Sequence, residues 1–284
     1  MDAPTTERVR VDEVVLALDG TIQAPRAVPL AQQMIEAFKA RLTVVAVSRE
    51  HDHTVEALNQ LQVAGLNLRA PWVRQDQLIG SNPAAALAAF TASLGDALLC
   101  LATHGRDHVV GSPLGDFASE LLQESELPVV LIGPAARVEN KGSVLACVDG
   151  SSDSERILPA ALLFARALRR PLEVICVVES VPDSLDDRPT RRVFGPDGDP
   201  QGYVARLVDR LVTKDVAVTS SVLADPIGPF EGLSYFLRDN PAVLVAVASH
   251  PREGLTPLLH RSLTALLVDR ASCPVLALPL HRDN

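Results

Sequence analysis

Short, nearly continuous apolar runs alternate with longer amphipathic segments along the chain. In the first half, the runs that predict β-strands are Glu13–Leu18, Leu42–Val47, Leu66–Val73 (the weakest), Ala97–Ala102 and Val129–Ile132. Apolar residues at helical spacing predict helices over Pro25–Ala40, Val55–Ala64, Pro83–Leu94 and Phe117–Glu124. Because the strand runs are apolar at every position rather than at alternate ones, they indicate a parallel sheet that is covered on both faces.

The same pattern occurs twice. Asp19, which ends the first strand within an Asp-Gly-Thr turn, recurs 130 residues later as Asp149 within Asp-Gly-Ser. The segments Leu99–His104 and Leu127–Leu131 recur 146 residues later as Val245–His250 and Cys273–Ala277. Three matches in one order predict two tandem doubly wound α/β domains, at residues 1–136 and 142–284, joined by a linker at 137–141.

The second copy carries an insertion, since its matches lie 16 residues further apart than those of the first. The segment Pro182–Gly202 accounts for it, with four prolines, three glycines and eight charged residues. This composition is typical of a surface loop, and we predict an inserted loop over residues 181–203.

Composition narrows the class of protein. The chain is 47% apolar with a formal net charge of -9, which disfavours nucleic acid as the main partner. Its longest apolar run has seven residues, Ala242–Ala248, far short of the ~20 that a membrane helix needs. The polar N-terminus lacks a signal-peptide pattern. We therefore expect a cytoplasmic protein that binds neither nucleic acid nor membrane.

The four cysteines are too far apart to form a CxxC pair. Three of them lie within apolar runs, so we expect buried small side chains in a reducing compartment. No cluster of ligands has the density of a metal site, and we predict none.

Ligands of open α/β sheets bind beyond the carboxyl ends of the strands, where the strand order reverses. Two loops of the first copy fall there: the turn at Asp19, and the loop from Thr103 to Asp116 that contains glycines and opens a helix. Free backbone N–H groups at a helix N-terminus can hold an anion.

This order of strand, Asp-Gly-Thr turn, glycine-spaced loop and final Pro-Val-Val-Leu strand resembles the universal stress protein family, from about Val11 to Pro279. Tandem members are common in actinobacteria. The resemblance implies a five-stranded parallel sheet of order 3-2-1-4-5, of the adenine-nucleotide α-hydrolase type. It also implies dimerisation through the last strand. In ATP-binding members, Gly-x2-Gly-x9-Gly-(Ser/Thr) follows the fourth strand.

Carried over to this chain, the motif positions are Ala102, Gly105, Gly115 and Asp116 in the first copy, and Ala248, Pro251, Arg261 and Ser262 in the second. The nine-residue spacer is kept in both copies. The positions on the adenine side are Asp19 and Val47, with Ala17 beside them, and Asp149 and Val177 in the second copy. Together these residues, apart from Pro251 and Arg261, form the candidate site for ATP or another adenine nucleotide.

The departures from the motif weaken the prediction of nucleotide binding more for the second copy than for the first. Pro251 has no N–H to offer a phosphate, whereas the bulky Arg261 offers its charge instead. Asp116 places a negative charge where the family binds phosphates. Asp116 and Ser262 also have a structural interpretation as helix N-caps. The two turn aspartates, Asp19 and Asp149, have one as residues whose side chains bind the local backbone.

No arrangement of residues assigns a catalytic role, since the GxSxG and HExxH motifs are both absent. Three functions follow as hypotheses. The first is a non-catalytic stress-response regulator that binds an adenine nucleotide, mainly in its first domain, and acts as a homodimer or on a regulatory protein partner. The second is a nucleotide-hydrolysing or adenylating enzyme of the wider superfamily. The third is a nucleotide-free scaffold whose long loop recruits a partner.

Overall fold

The computed structural model describes residues 10–19, 21, 23–49, 65–103, 114–179, 198–225, 229–249 and 263–280. The chain forms two compact units. The larger unit contains residues 10–139 and 249–284, and the smaller unit contains residues 140–248. The units differ from the two sequence copies, because the last helix and strand of the second copy pack with the first.

The described residues of the larger unit form six strands: β1 (Glu13–Leu18), β2 (Arg41–Ser48), β3 (Val73–Ile79), β4 (Ala97–Ala102), β5 (Val129–Ile132) and β10 (Val275–Pro279). Their order is β3-β2-β1-β4-β5-β10. The first five are parallel, and β10 pairs with β5 in the antiparallel sense. The strand order 3-2-1-4-5 that the resemblance implies is therefore confirmed for the first copy.

Helices cover this sheet. They are α1 (Val28–Phe38), which follows a 3-10 turn at Ala24–Ala27, then α2 (Pro83–Ala92), α3 (Asp116–Glu124) and α8 (Leu263–Arg270). The Asn82-Pro83 signal for a helix start is confirmed, because Asn82 Oδ1 accepts a hydrogen bond from the Ala85 N–H at 3.1 Å. Every residue of β1, β4 and β5 is buried, as strands covered on both faces must be.

The third strand begins later than the sequence suggests. Residues 66–72 form turns, held in part by the Arg69 N–H donating to Asn67 Oδ1 at 3.1 Å, and β3 starts at Val73. The prediction was wrong because Leu66 and Leu68 are buried from a turn rather than from a strand. Trp72 lies before the strand and is 49% exposed.

The smaller unit contains β6 (Ser143–Val148), β7 (Leu172–Glu179), β8 (Val218–Asp225) and β9 (Ala242–Ser249) in the order β8-β7-β6-β9, all parallel. Its helices are α4 (Ser152–Glu155, one turn), α5 (Leu158–Leu168), α6 (Pro200–Leu211) and α7 (Pro229–Asp239). The predicted inserted loop ends earlier than expected, because residues 200–203 form the first turn of α6.

A backbone detail marks the duplication independently of side chains. Lys39 and Arg169 end equivalent helices, and both adopt a left-handed conformation, with φ of 57° and 56°. Non-glycine residues adopt this conformation infrequently, so its recurrence at the same point of both copies indicates one local structure used twice.

The four cysteines are buried, as the sequence predicts, and none of them forms a disulfide in the described part of the chain. Burial alone raises the pKa of the Cys100 thiol far above its ordinary value. A thiol held protonated in this way is a small apolar side chain rather than a nucleophile.

The end of β5 lies against α8. A Cβ placed on Gly133 would overlap the Val268 carbonyl group, whose carbon would be 2.7 Å away. The Arg137 N–H donates to the Ser272 carbonyl at 2.9 Å a few residues further on. Only a residue without a side chain fits between the two segments.

We expect Gly133→Ala to lower the free energy of unfolding by about 1–3 kcal/mol, because the added methyl group must push α8 away from β5. Chemical denaturation followed by circular dichroism measures this. Gly80→Ala is the matched control, since a Cβ there meets nothing within 4 Å. Equal stability of the two variants would contradict the close approach at Gly133.

Candidate functional site

The first candidate position is the turn that follows β1. Asp19 is half-buried, and its Oδ1 accepts hydrogen bonds from the Thr21 N–H at 3.1 Å and the Thr21 hydroxyl at 2.7 Å. These bonds make the turn that the structural interpretation expects. Neither of these hydrogen bonds involves the other carboxylate oxygen, Oδ2.

The carboxyl ends of three neighbouring strands place the other first-copy residues close to this turn. β1 lies between β2 and β4, with Leu18 level with Ala46. Three predicted site residues, Ala17, Val47 and Ala102, are buried to 4% exposure or less. They can therefore offer a ligand only backbone groups at the strand ends.

Thr103, directly after β4, is a polar residue in this edge that the motif comparison did not single out. It is fully buried, and its backbone N–H donates to the Ile132 carbonyl at 3.0 Å. Its hydroxyl has no hydrogen-bond partner among the residues that the structure describes. A buried hydroxyl without a partner is costly to fold around, so Thr103 is a candidate contact for a ligand.

The helix α3 begins at the same edge. Its N-cap is Gly115, with φ of 77° and ψ of 156°, and no side chain of the described residues caps it. The prediction that Asp116 is the N-cap is wrong: Asp116 is the first residue inside the helix and is exposed. There its carboxylate interacts favourably with the helix dipole but competes with any anion for the same N–H groups.

Several predicted residues lie outside the described ranges. They are Gly105 of the first copy and Pro251, Arg261 and Ser262 of the second. Their predicted parts in phosphate binding stay predictions.

In the corresponding turn of the second copy, the polar groups form hydrogen bonds with one another. Asp149 Oδ1 accepts from the Ser151 N–H at 3.0 Å and from its hydroxyl at 2.6 Å. The Ser151 hydroxyl caps α4 by accepting from the Ser154 N–H at 3.1 Å, and the Ser154 hydroxyl accepts from the Asp149 N–H at 3.1 Å. Val177 is buried and Ala248 is partly exposed, at the ends of β7 and β9.

A tyrosine approaches this second turn from α6. Tyr203, in the first turn of α6, is only 5% exposed. Burial, and secondarily the Glu155 carboxylate, raise the pKa of its phenol well above the ordinary value. Arg210, two turns further along α6, donates to Glu155 Oε2 at 2.5 Å.

Within the described part of the chain, no group of three or more His, Cys, Asp or Glu side chains has the arrangement of a metal site. None of the described helices combines the length and the apolar character needed to cross a membrane.

Comparison with known proteins identifies the family. The model of the universal stress protein family matches residues 11–133 and again residues 142–279. The chain belongs to the universal stress protein family. Its two copies are therefore tandem universal stress protein domains, and the resemblance seen in the sequence is confirmed.

Solved structures agree with the fold. A protein of Pseudomonas aeruginosa assigned to the universal stress proteins has 17% identity and a TM-score of 0.62, over 94% of this chain and 93% of that one. A universal stress protein of Archaeoglobus fulgidus has 14% identity and a TM-score of 0.62, over 94% and 97%. The cytoplasmic domain of a prokaryotic cation chloride cotransporter has 13% identity and a TM-score of 0.50, over 94% and 95%. No curated protein matches the chain.

The sequence predicts the ends of β1, β4 and β5 of this universal stress protein correctly but not the end of β3, and it does not single out Thr103 or Tyr203. Thr103 carries a usable signal, a polar residue that directly follows an apolar strand within the motif loop. Tyr203 carries none, because it falls within the segment that composition indicates to be a loop.

We expect Asp19→Ala to destabilise the protein by ~1–2 kcal/mol, because two hydrogen bonds of the turn are lost. Asp19→Asn keeps the accepting oxygen and should change stability by less than ~0.5 kcal/mol. Urea denaturation of both variants measures the difference. If Asn proves as harmful as Ala, the negative charge rather than the turn bonds makes Asp19 necessary.

Proposed function

We propose that this universal stress protein is a non-catalytic regulator of the stress response that binds an adenine nucleotide in its first domain. The support is a set of groups at one sheet edge. Backbone groups at the ends of β1, β2 and β4 suit a flat base, and the N-terminus of α3 suits an anion. The family's motif spacing between Ala102 and Asp116 supports the same placement.

The buried Thr103 hydroxyl is the observation that carries the proposal. This hydroxyl is fully buried and has no hydrogen-bond partner among the described residues. A sugar hydroxyl or a phosphate oxygen would supply the missing hydrogen bond.

Asp116 limits which nucleotide fits. Its exposed carboxylate lies in the first turn of α3, where it repels additional phosphate charge. The first domain should therefore favour adenosine or a monophosphate over ATP more than family members with a hydroxyl at this position do. The nucleotide acts by occupancy and is not turned over; steady release of ADP or AMP from ATP would favour the enzyme hypothesis instead.

A regulator needs a partner. The protein acts in the cytoplasm, and its partner is a second copy of the chain or another protein. The usual last-strand contact is not free in the first domain, because β5 pairs with β4 on one side and β10 on the other. A homodimer must therefore use another surface. Sedimentation with and without nucleotide tests whether occupancy changes assembly.

We expect Thr103→Val to weaken adenosine and AMP binding by about tenfold while leaving the protein equally or more stable. The isosteric change removes a hydroxyl that has no partner within the described protein, so folding loses nothing and the ligand loses a hydrogen bond. Calorimetric titration and thermal unfolding measure the two effects. A destabilised variant with unchanged affinity would show that the hydroxyl serves the fold.

We expect Asp116→Ser to strengthen ATP binding several-fold and adenosine binding hardly at all, because only ATP brings charge to α3. Loss of the carboxylate at the helix N-terminus should cost at most ~1 kcal/mol of stability. Competition titrations of both ligands on both proteins give the comparison. Equal gains for the two ligands would place Asp116 away from the phosphates.

A further inference from the structure

The outer edge of β3 is unpaired in the described part of the chain, where this strand pairs with β2 alone. The hydrogen bonds to β2 involve the Trp72 carbonyl, which accepts from the Leu42 N–H at 3.4 Å, and the Gly80 N–H, which donates to the Ser48 carbonyl at 3.2 Å. Backbone groups of successive residues point to opposite sides of a strand. The N–H and C=O groups of the odd-numbered residues of β3 therefore point away from β2.

The two ends of this edge carry exposed apolar side chains. Trp72, directly before β3, is 49% exposed, and Ile79, its last residue, is 39% exposed. They are the two exposed large apolar side chains that the structure describes in the larger unit. An unpaired strand edge with apolar residues at both ends is a surface suited to pairing with another strand.

Between these ends, β3 carries one cation and one anion on the same face. Arg74 and Asp76 are two residues apart, and Arg74 Nε lies 2.6 Å from Asp76 Oδ2. The Arg74 guanidinium also lies over the Phe90 ring of α2, 5.8 Å from the ring centroid. The Arg74 side chain is nevertheless 58% exposed. Two contacts therefore hold this cation in position while its charge stays at the strand edge.

The charges on β3 determine which strand fits the edge and in which register. Two copies related by a two-fold axis perpendicular to the sheet pair their edges in the antiparallel sense. Side chains directly opposite each other share one face of the sheet, so one residue of β3 must lie opposite its own equivalent. If that residue is Arg74 or Asp76, two like charges lie directly opposite each other, which is destabilising. Among the residues of β3, only Gln75 at this position places Arg74 of each copy opposite Asp76 of the other.

The same register suits the backbone and the apolar ends. With Gln75 opposite its equivalent, Val73 lies opposite Gln77 of the second copy. All three residues are odd-numbered, so their outward N–H and C=O groups can form hydrogen bonds across the edge. Trp72 lies opposite Leu78 of the second copy, a pair of an aromatic and an aliphatic side chain that stabilises a sheet. The edge is therefore complementary to itself in charge, hydrogen bonding and apolar contact.

We propose that the chain forms a homodimer by antiparallel pairing of two β3 strands, with Gln75 opposite its equivalent and Arg74 opposite Asp76. The partner of this surface is thus a second copy of the chain. This inference deepens the proposed function by naming its partner, and it rests on that function only for what the dimer regulates. The pairing itself depends on the strand edge, so the dimer forms with or without a nucleotide.

Sedimentation of charge variants tests the pairing. Wild-type protein should sediment as a dimer without nucleotide. Arg74→Glu and Asp76→Arg should each raise the dissociation constant of the dimer at least about tenfold, because each change places like charges opposite each other twice. An equimolar mixture of the two variants should dimerise again, since the mixed dimer has unlike charges opposite each other at both positions. Thr219→Glu is the matched control and should leave the dimer unchanged, because it adds a charge to β8, which pairs with β7 alone among the described residues of the smaller unit.

Recovery in the mixture distinguishes a contact between two copies from the ion pair within one chain, because mixing cannot restore the ion pair inside either variant. Failure of the mixture to dimerise would overturn the proposal, as would single variants whose dimers are as stable as that of the wild type. A wild-type chain that is monomeric at every concentration would also overturn it. Arg74 and Asp76 would then be charges that protect the edge from pairing.

Tryptophan fluorescence reports on the same contact. Trp72 is the only tryptophan of the chain, and pairing should transfer its indole from water to an apolar contact. Its emission should therefore shift to longer wavelength when wild-type protein is diluted until the dimer dissociates. For Arg74→Glu the emission should stay at the longer wavelength at every concentration. Emission that does not change as a wild-type dimer dissociates would place the dimer contact elsewhere and overturn the proposal.

Cross-linking keeps the test decisive if Asp76→Arg does not fold. A short bismaleimide should join two chains of Gln75→Cys, because the two copies of this residue lie opposite each other. Gln77→Cys is the matched control, since both glutamines are exposed but the two copies of residue 77 would be four positions apart along the strands, about 14 Å. Cross-linking of Gln77→Cys as fast as that of Gln75→Cys would overturn the register.

Failure of the proposed function is distinguishable from failure of this inference. Calorimetric titration of wild-type protein with adenosine, beside sedimentation of the same sample, separates the two. A dimer that binds no adenosine contradicts nucleotide binding alone, whereas a monomer that binds adenosine contradicts the dimer alone.

Discussion

When the strands of a parallel sheet are buried on both faces, functional polar side chains can lie only at the ends of the strands. In the larger unit β1, β4 and β5 are buried along their whole length, and covering helices take both faces. Polar residues therefore collect in the turns beyond the carboxyl ends, where Asp19 and Thr103 lie. The candidate site, its neighbours and the difference between the two domains all depend on this constraint.

The two domains use the same edge differently. In the first, the described groups at the edge include backbone atoms, a turn carboxylate and a buried hydroxyl. In the second, hydrogen bonds among Asp149, Ser151 and Ser154 close the turn. A duplicated domain can thus keep its strand order while its turns differ, because the strands and the loops are under separate constraints.

The sequence predicted most strands to within a residue, because runs such as Ala97–Ala102 are apolar at every position and admit few other structures. The sequence-based prediction was wrong where residues of a turn are buried, as at Leu66 and Leu68, because a buried turn and a buried strand show the same apolar residues in the sequence. It also misplaced Asp116 by one position, because an acidic residue suits both the N-cap and the first turn. The burial of Tyr203 depends on packing across distant segments, which no local pattern contains.

The antiparallel pairing of β10 with β5 has a consequence for synthesis. The larger unit is made of two stretches of chain, residues 10–139 and 249–284, separated by the whole smaller unit. The ribosome synthesises the first stretch long before the second, so β5 has one edge without its partner strand until β10 has been made. Nascent chains that stop early would expose this edge as a template for aggregation. The first domain is therefore complete only when β10 has been synthesised and has paired with β5.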